Sequence, residues 1–266
     1  PMSLHTPIRD PRLLDAANSL ATARSQRQPG PRVSETFALA SLDEAYQVQA
    51  AGVQHALTQG RRLSGAKAGL TSATLRAALK VEEPLYGWLL ADTACRSGEV
   101  IDWERLLQPK VEIEIALLLS TDLPTGEISR EQLLASIAGV VPALEINDSA
   151  ITGWQLTLLD AIADNLSSGF YVLGDQPLPL AQLDGQTLSG TLLSNGQPLR
   201  ANVPIVLDDV LTTALWLVRK MAALGQPLRA GDVLLTGTQA PIADVARGDQ
   251  LCFQVAGLGE VTCSFA

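Results

Sequence analysis

Two glutamates lie in a stretch of sequence whose other residues are almost all apolar. The stretch spans residues 110–119 and reads KVEIEIALLL. Because side chains alternate between the two faces of a β-strand, Glu112 and Glu114 share one face, which becomes apolar from Ala116 onwards. A carboxylate that is removed from water without a partner is costly, so it normally binds a cation or takes up a proton. The pattern therefore predicts that this pair of glutamates binds a metal ion.

The rest of the chain indicates which kind of metal to expect. The sequence contains two histidines, His5 and His55, and three cysteines that lack the short spacing of a zinc site. A hard cation with oxygen ligands, Mg²⁺ or Mn²⁺, therefore fits the composition better than zinc does. The alternative is that both glutamates face water at the edge of a sheet, as most glutamates in strands do.

Composition places the chain in a broad class. Its 266 residues are 47% hydrophobic and 18% charged, which predicts a globular protein with a substantial core. No apolar run reaches the roughly 20 residues of a membrane span. Asp10 and Arg12 interrupt the N-terminal sequence, so it does not resemble a signal peptide. With scattered cysteines that fit a reducing compartment, we expect a cytoplasmic protein that does not bind membranes.

The net charge limits the possible partners. A formal charge of −9 argues against nucleic acid, because binding to a phosphate backbone needs a basic face. An acidic protein can still bind an anionic metabolite if a metal ion and one or two lysines or arginines set the local field. The charge therefore excludes nucleic acid as a partner but leaves small organic acids open.

Helices are predicted first along the chain and strands afterwards. Residues 11–23 predict one helix, and Ser41 with Glu44 forms a capping pair that begins a second. From Leu63 onwards, short apolar segments alternate with Gly, Pro and Asn, without a regular succession of strand and helix. We therefore predict an α+β fold, with a small N-terminal helical lobe over residues 1–62 and a β-roll domain over residues 63–266.

Further local signals lie in the second half of the chain. The apolar segment VVPALEI ends in a third glutamate, Glu145. Asn195 and Gly196 between two apolar segments predict a type I′ hairpin turn. Asp208 is predicted to cap a long amphipathic helix.

Five segments, taken together, resemble one protein family. They are GAKAGLTS (65–72), QPKVEIEIALLL (108–119), VVPALEINDS (140–149), IADNLSSGFYVLG (162–174) and AGDVLLTGT (230–238). In this order they resemble the bacterial 2-keto-4-pentenoate hydratase and 4-oxalocrotonate decarboxylase family of the fumarylacetoacetate hydrolase superfamily. The resemblance runs from about Ser41 to the end. It implies the mixed β-roll with flanking helices that is typical of that superfamily.

The resemblance also implies a site. Glu112, Glu114 and Glu145 match the family's ligands for Mg²⁺ or Mn²⁺, and Lys67 matches a lysine expected to transfer protons or to bind the substrate carboxylate. Substrate-binding positions are implied for Leu85, Tyr86, Asp164, Asn165, Gly237 and Thr238. Several of these residues also fit ordinary structural roles: an exposed lysine in a glycine-rich loop, the turn that ends a helix, and the end of a strand.

Two departures from the family pattern affect the expected reaction. Hydratases of this family usually carry Asp in a P-D-[FY]-G motif, whereas residues 84–87 read PLYG, and Leu85 favours the decarboxylase branch. The Arg expected after Ser149 is Ala150. The resemblance thus implies a lyase, and we expect a hydratase, with a decarboxylase as the close alternative.

The expected substrate is a small 2-oxo or 2-hydroxydienoic acid from the meta-cleavage branch of aromatic degradation. Two further alternatives stay open: a C–C hydrolase of acylpyruvates, disfavoured by the scarcity of histidine, and a catalytically inactive structural subunit. The resemblance also implies a homo-oligomer, which can form a complex with another enzyme of its pathway.

Overall fold

The computed structural model describes residues 4, 6–183, 185 and 187–266. His5 lies outside these residues. Within them, the α-helices are α1 (Pro11–Gln26), α2 (Val33–Thr36), α3 (Leu42–Thr58), α4 (Ala73–Leu79), α5 (Arg130–Ser136), α6 (Leu158–Ala163) and α7 (Leu207–Ala223). None of these helices is both long enough and apolar enough to cross a lipid bilayer.

Strands occupy most of the chain after the third helix. They are β1 (Leu63–Gly69), β2 (Leu85–Leu90), β3 (Ala94–Arg96), β4 (Val100–Ile101), β5 (Pro109–Leu119), β6 (Ile137–Asp148), β7 (Phe170–Leu173), β8 (Thr187–Ser194), β9 (Gln197–Val206), β10 (Val233–Leu235), β11 (Ala243–Asp244), β12 (Gln250–Val255) and β13 (Gly259–Phe265). Helices α1 to α3 precede the first strand, as predicted for an N-terminal helical lobe, whereas α4 to α7 lie between strands. The domain boundary at residue 62 stays a prediction.

In the described part of the chain the strands form two mixed sheets. The larger has the order β2-β1-β10-β5-β6-β7-β3, with β11 paired to β5, and the smaller has the order β4-β13-β12-β8-β9. Most neighbours are antiparallel, but β1 and β10, β3 and β7, and β4 and β13 are parallel. This arrangement confirms the predicted α+β class and excludes a doubly wound parallel sheet.

The larger sheet curls into a roll. Lys67 on β1 forms an ion pair with Glu145 on β6, and Ser64 Oγ lies 2.8 Å from Tyr171 Oη on β7. These strands are three and four positions apart in the sheet, so a flat sheet would separate their backbones by about 14 and 19 Å. Both contacts therefore cross the concave face of a strongly curved sheet.

The two faces of β5 have different surroundings. Its odd-numbered residues from Val111 to Leu119 are buried in the main core, together with residues of α7 and of the smaller sheet. On the other face, Ala116 belongs to a small apolar cluster with Ala143, Tyr171 and Leu235. The concave face of the roll is thus closed by apolar side chains at one end and carries the two glutamates towards the other.

The N-terminal helices form a second core with the segments that follow β6. Leu13 and Leu20 of α1 and Val48 of α3 pack in one cluster with Ile151 and with Ile162 of α6. Helix α1 begins with Pro at its first position, after the capping residue Asp10. The helical lobe is therefore attached directly to the part of the roll where β6 ends.

Local predictions have mixed outcomes. Asn195 and Gly196 both have positive φ in the turn between β8 and β9, as a type I′ hairpin requires. Ser41 caps α3, but the carboxylate of Glu44 accepts from the amide of Ala40 instead of Ser41, so the reciprocal bond is missing. The prediction that Asp208 caps α7 is wrong, because the helix begins one residue earlier, at Leu207. Asp208 instead lies in the first turn, where its negative charge interacts favourably with the positive end of the helix dipole.

Candidate metal centre and active site

Three glutamates meet on the concave face of the roll. The antiparallel register of β5 and β6 places Glu112 directly opposite Glu145. Glu114 follows two residues after Glu112 and therefore points to the same side. One carboxylate oxygen from each residue lies within 4.8 Å of the others. A single cation can contact oxygens at such separations, so the geometry fits the predicted ligand set.

Two carboxylate oxygens of this cluster are buried without a hydrogen-bond donor among the described residues. They are Glu114 Oε1 and Glu145 Oε2, and the two side chains belong to residues that are 0% and 1% exposed. The other oxygen of Glu114 accepts from the amide of Gly237 at 3.1 Å. Because a buried acceptor without a partner destabilises the fold, two in one cluster point to a cation as the missing partner.

The pKa values of the glutamates lead to the same conclusion. Burial raises the pKa of Glu112 to about 7, with a further contribution from the charge of Glu145, while Lys67 and Asn147 act in the opposite direction. Burial likewise raises the pKa of Glu114 well above its usual value, and the neighbouring glutamates add to the effect. Without a cation, therefore, burial favours the protonated forms of Glu112 and Glu114.

Lys67 is a buried cation beside this cluster. Its residue is 3% exposed, and its ammonium group forms an ion pair with Glu145 Oε1. It also donates to Asn147 Oδ1 at 2.9 Å and to the carbonyl oxygen of Leu166 at 3.0 Å. All three N–H donors of the ammonium group are thus used. The alternative of an exposed lysine in a loop does not hold.

A glycine leaves space for the lysine. Gly87 lies opposite Lys67 in the ladder between β1 and β2. A Cβ atom at this position would lie 3.0 Å from Lys67 Cγ and 3.1 Å from Asn165 Oδ1. These distances are tighter than ordinary van der Waals contacts, so a larger residue would press on the lysine side chain.

Asn147 is a site residue that the sequence interpretation missed. It lies two residues after Glu145 on β6, hence on the same face, and its Nδ2 donates to Glu112 Oε2 at 2.8 Å. Its Oδ1 accepts from Lys67, so the amide connects the lysine to a second glutamate. Strand alternation contained the signal, because a polar residue two positions after a buried ligand faces the same site.

Comparison with known proteins identifies the family. Residues 45–266 match the family model described as fumarylacetoacetate (FAA) hydrolase C-terminal. The chain belongs to the fumarylacetoacetate hydrolase family. This confirms the superfamily that was predicted from the sequence.

Within the fumarylacetoacetate hydrolase family, the chain is similar to hydratases and to a decarboxylase. It is 45% identical over 226 residues to the TodF product hydratase of Pseudomonas putida, covering 85% of this chain and 84% of that protein. It is 38% identical over 253 residues to 2-keto-4-pentenoate hydratase 1 of Dechloromonas aromatica, covering 94% and 96%. The solved structure of 4-oxalocrotonate decarboxylase from Pseudomonas putida G7, complexed with magnesium and adipate, matches with a TM-score of 0.87. It is 27% identical, and the match covers 98% of this chain and 100% of that one.

In this member of the fumarylacetoacetate hydrolase family, Gly237 belongs to the cluster and Thr238 does not contact it. Gly237 has φ +96°, and a Cβ atom there would lie 2.7 Å from Thr71 Cγ2. Only glycine fits this position, and its amide thereby reaches Glu114. The hydroxyl of Thr238 instead donates to the carbonyl oxygen of Ala240.

Asp164 and Asn165 bind neighbouring segments of the chain and do not contact the glutamates. Asp164 accepts from Arg24 at 2.6 Å and from the amide of Ala150 at 2.9 Å, and burial raises its pKa more than Arg24 lowers it. Asn165 pairs through both ends of its amide with the backbone of Trp88, at 2.8 and 2.9 Å. Neither side chain has a hydrogen bond to the glutamate cluster.

The turn that contains Asn165 has an unusual backbone. Asn165, Leu166 and Ser167 have φ values of 54°, 52° and 52°. Left-handed conformations are costly for residues other than glycine and concentrate at functional sites. This turn directs the carbonyl oxygen of Leu166 to Lys67, so its strained backbone helps to hold the lysine.

Leu85 and Tyr86 lie on opposite faces of β2. The register pairs Gly69 with Leu85 and Lys67 with Gly87, so Leu85 shares the face of the lysine. Tyr86 points into the main core, where it stacks on Tyr46 with ring centroids 4.3 Å apart. Leu85 thus shares a strand face with the lysine, although its side chain packs in the core of the N-terminal helices, and Tyr86 faces away from the site.

Proposed function

We propose that this protein is a divalent-metal-dependent lyase that adds water to a small 2-hydroxydienoic or 2-oxo acid, as a 2-keto-4-pentenoate hydratase does. The observation that carries the proposal is the cluster of three buried glutamates with two unpartnered oxygens beside the buried Lys67. The identity of 45% and 38% to two hydratases, over most of both chains, supports the same reaction.

We propose Mg²⁺ or Mn²⁺ as the cation. The donor set consists of carboxylate oxygens alone, which favours a hard ion over zinc or copper. Such an ion, when bound, supplies positive charge that stabilises negative charge on the oxygen at C2 of the acid. Glu112, Glu114 and Glu145 would hold it, and the amide of Gly237 would orient Glu114.

Lys67 is the proposed catalytic residue. Its ammonium group is fixed by Glu145, Asn147 and a backbone carbonyl, so it holds a proton at a defined place, and it would bind the substrate carboxylate only by giving up one of these partners. Hydration of a 2-hydroxy-2,4-dienoic acid moves the enol proton from the C2 oxygen to C5, and one water molecule then adds its OH to C4 and its proton to C3. The ammonium group of Lys67 carries protons in direct contact with Glu145 of the cluster, which supports its role in the proton step.

A decarboxylase is the second candidate. Leu85 lies on the face of Lys67 where hydratases of this family usually carry Asp. The fold match to a decarboxylase with a TM-score of 0.87 supports the same alternative. A C–C hydrolase is less well supported, because His55 is exposed on α3 and no described histidine belongs to the glutamate cluster.

The two reactions are separated by their products. The Mg²⁺-loaded protein is incubated with 2-hydroxypenta-2,4-dienoate and with 2-oxohex-3-enedioate, and dienoate absorbance and released CO₂ are measured. A hydratase removes the absorbance of the first compound without CO₂, whereas a decarboxylase releases CO₂ from the second. If neither compound reacts, both lyase assignments are refuted, and a C–C hydrolase of acylpyruvates and an inactive structural subunit remain.

Lys67→Met tests the role of the lysine in the same assay. We expect turnover to be abolished while the protein still binds metal. Lys80→Met is the matched control, because Lys80 is exposed and follows α4 outside the cluster. Turnover by Lys67→Met at the wild-type rate would contradict the proposed role.

We also propose, from the family resemblance, that the protein acts in the cytoplasm as a homo-oligomer and that it can form a complex with an enzyme of its pathway. Light scattering of the purified protein measures the subunit number. A monomer at micromolar concentration would contradict the proposed assembly.

A further inference from the structure

The amide of Asn147 lies between Lys67 and Glu112. The residue is 3% exposed, it accepts from Lys67 Nζ at 2.9 Å, and it donates to Glu112 Oε2 at 2.8 Å. Its place on β6, two residues after Glu145, puts it on the edge of the cluster. A neutral amide therefore separates the ammonium group of Lys67 from the carboxylate of Glu112. Among the described residues, Lys67 is the only cationic side chain in contact with the three glutamates.

The charges on either side fix the orientation of this amide. Its oxygen faces an ammonium group and its NH₂ group faces a carboxylate, which is the favourable arrangement for both contacts. A rotated amide would point NH₂ at the ammonium group and oxygen at the carboxylate, and both contacts would then be repulsive. Asn147 thus satisfies both neighbours without adding a charge of its own.

We infer that Asn147 is a positioning residue that keeps Lys67 away from Glu112 and so leaves this carboxylate available to the cation. Lys67 already forms an ion pair with Glu145. If the acceptor on Asn147 were absent, the third N–H of the ammonium group would need another partner, and Glu112 is the carboxylate beyond the amide. A lysine paired with two of the three glutamates competes with the cation for both.

This inference rests on the proposed function only in that the cluster binds a divalent cation. Its test is therefore a metal titration, which needs no turnover. Asn147→Leu removes both hydrogen bonds at similar side-chain volume, and Mn²⁺ affinity is measured by calorimetry or by electron paramagnetic resonance. Groups that orient metal ligands typically contribute 10- to 100-fold in affinity, and we expect a loss of at least about 10-fold here.

A double-mutant cycle identifies the cause of the loss. In a Lys67→Met background the competing ammonium group is absent, so Asn147→Leu should cost much less Mn²⁺ affinity than in the wild type. An equal loss in both backgrounds would overturn the inference, because the asparagine would then act on Glu112 alone. Mn²⁺ affinity of Asn147→Leu within about twofold of the wild type would overturn it as well, and turnover by the wild type would still support the lyase function.

A second variant separates positioning from a purely structural role. Asn147→Asp restores an acceptor for Lys67 but adds a negative charge beside Glu112. We expect Mn²⁺ to bind at least as tightly as in the wild type, because Lys67 keeps its acceptor and the cluster gains a negative charge. A loss of Mn²⁺ affinity in Asn147→Asp as large as that in Asn147→Leu would show that the asparagine is structural and that the inference is wrong.

Gln49→Leu is the matched control for the loss of a buried amide. Gln49 is 2% exposed, and its Nε2 donates to the carbonyl oxygens of Tyr86 and Ile162 at 3.1 and 3.0 Å, with no hydrogen bond to the cluster. We expect it to lower the melting temperature and to leave Mn²⁺ affinity unchanged. An affinity loss in this variant equal to that of Asn147→Leu would refute the specific role of Asn147.

Discussion

Replacement of Glu114 by Gln should stabilise the metal-free protein and abolish its response to metal. Glu114 is 0% exposed, its Oε1 has no donor among the described residues, and burial raises its pKa. A neutral glutamine can keep the bond from the amide of Gly237. Its NH₂ group can donate to Glu145, which is near enough to affect the pKa of Glu114 through a hydrogen bond.

The expected size follows from the unpartnered oxygen. A buried acceptor without a partner costs about 1–3 kcal/mol, which Glu114→Gln should recover. For a chain of this size, 1 kcal/mol corresponds to about 2–4 °C in melting temperature, so we expect a rise of roughly 2–12 °C in the metal-free state. Wild-type protein at a metal concentration of 100 times Kd should gain about 2.7 kcal/mol, or roughly 5–10 °C.

The effect should depend on pH in a defined direction. Because burial raises the pKa of folded Glu114 above the usual value of 4.5, the folded metal-free protein binds more protons than the unfolded chain. Its stability therefore falls as the pH rises through this range. The advantage of Glu114→Gln should accordingly be small near pH 4.5 and larger at neutral pH.

The assay is thermal unfolding with a chelator and with Mg²⁺ or Mn²⁺, for the wild type, Glu114→Gln and the control Glu127→Gln. Glu127 is exposed in the loop before α5, so its replacement removes one negative charge without affecting the cluster. The reasoning is refuted if Glu114→Gln melts below the wild type in chelator, or if metal raises the melting temperature of both equally.

Three further outcomes follow from other contacts. Gly237→Ala should weaken Mn²⁺ binding and destabilise the protein by about 1–3 kcal/mol, because φ +96° and Thr71 exclude a Cβ atom; unchanged titration and melting curves would contradict this. Asp160→Asn should cost about 2–3 kcal/mol at neutral pH. Burial raises the pKa of Asp160, but four hydrogen bonds from Ser34 and Thr157 lower it by more. The loss of stability in Asp160→Asn, measured by urea unfolding, should therefore fade as the pH falls through this lowered pKa. A loss of stability that does not depend on pH would count against this account. Arg24→Met leaves buried Asp164 without its ion pair and should lower the free energy of unfolding by about 1–3 kcal/mol. Mn²⁺ affinity should stay unchanged, and a large change in affinity would show that Asp164 acts on the metal centre.

The two glutamates on β5 could be predicted from the alternation of side chains along a strand alone. Glu112 and Glu114 share a face in any strand, and the apolar residues after them indicate that this face is buried. Glu145 was different, because its position opposite Glu112 depends on the register between two strands that are distant along the chain. Local patterns do not specify such a register, and only the family resemblance led to the third glutamate.

Motif matching predicted positions better than orientations. Leu85 and Tyr86 are adjacent in a strand, so both could not face the substrate, and alternation would have shown this before the structure did. Asp164 and Asn165 lie near the site, but their polar atoms bind Arg24, Ala150 and the backbone of Trp88. Which partner such a group selects depends on helix and sheet packing that has no signature in a short motif.

The charges of the cluster are consistent with the uncharged positions that lie beside it on the concave face. Three ionised glutamates and one lysine sum to −3 + 1 = −2, and a divalent cation brings the sum to zero. Further charge in the roll would disturb this balance in a medium where electrostatic interactions are strong, and the neighbouring positions are indeed Ala116, Ala143 and Leu235. Asn147 fits the same requirement, since it orders a lysine and a glutamate while remaining neutral. The cation is therefore a component of the folded state, and its removal should destabilise the roll at the strands that carry the reaction.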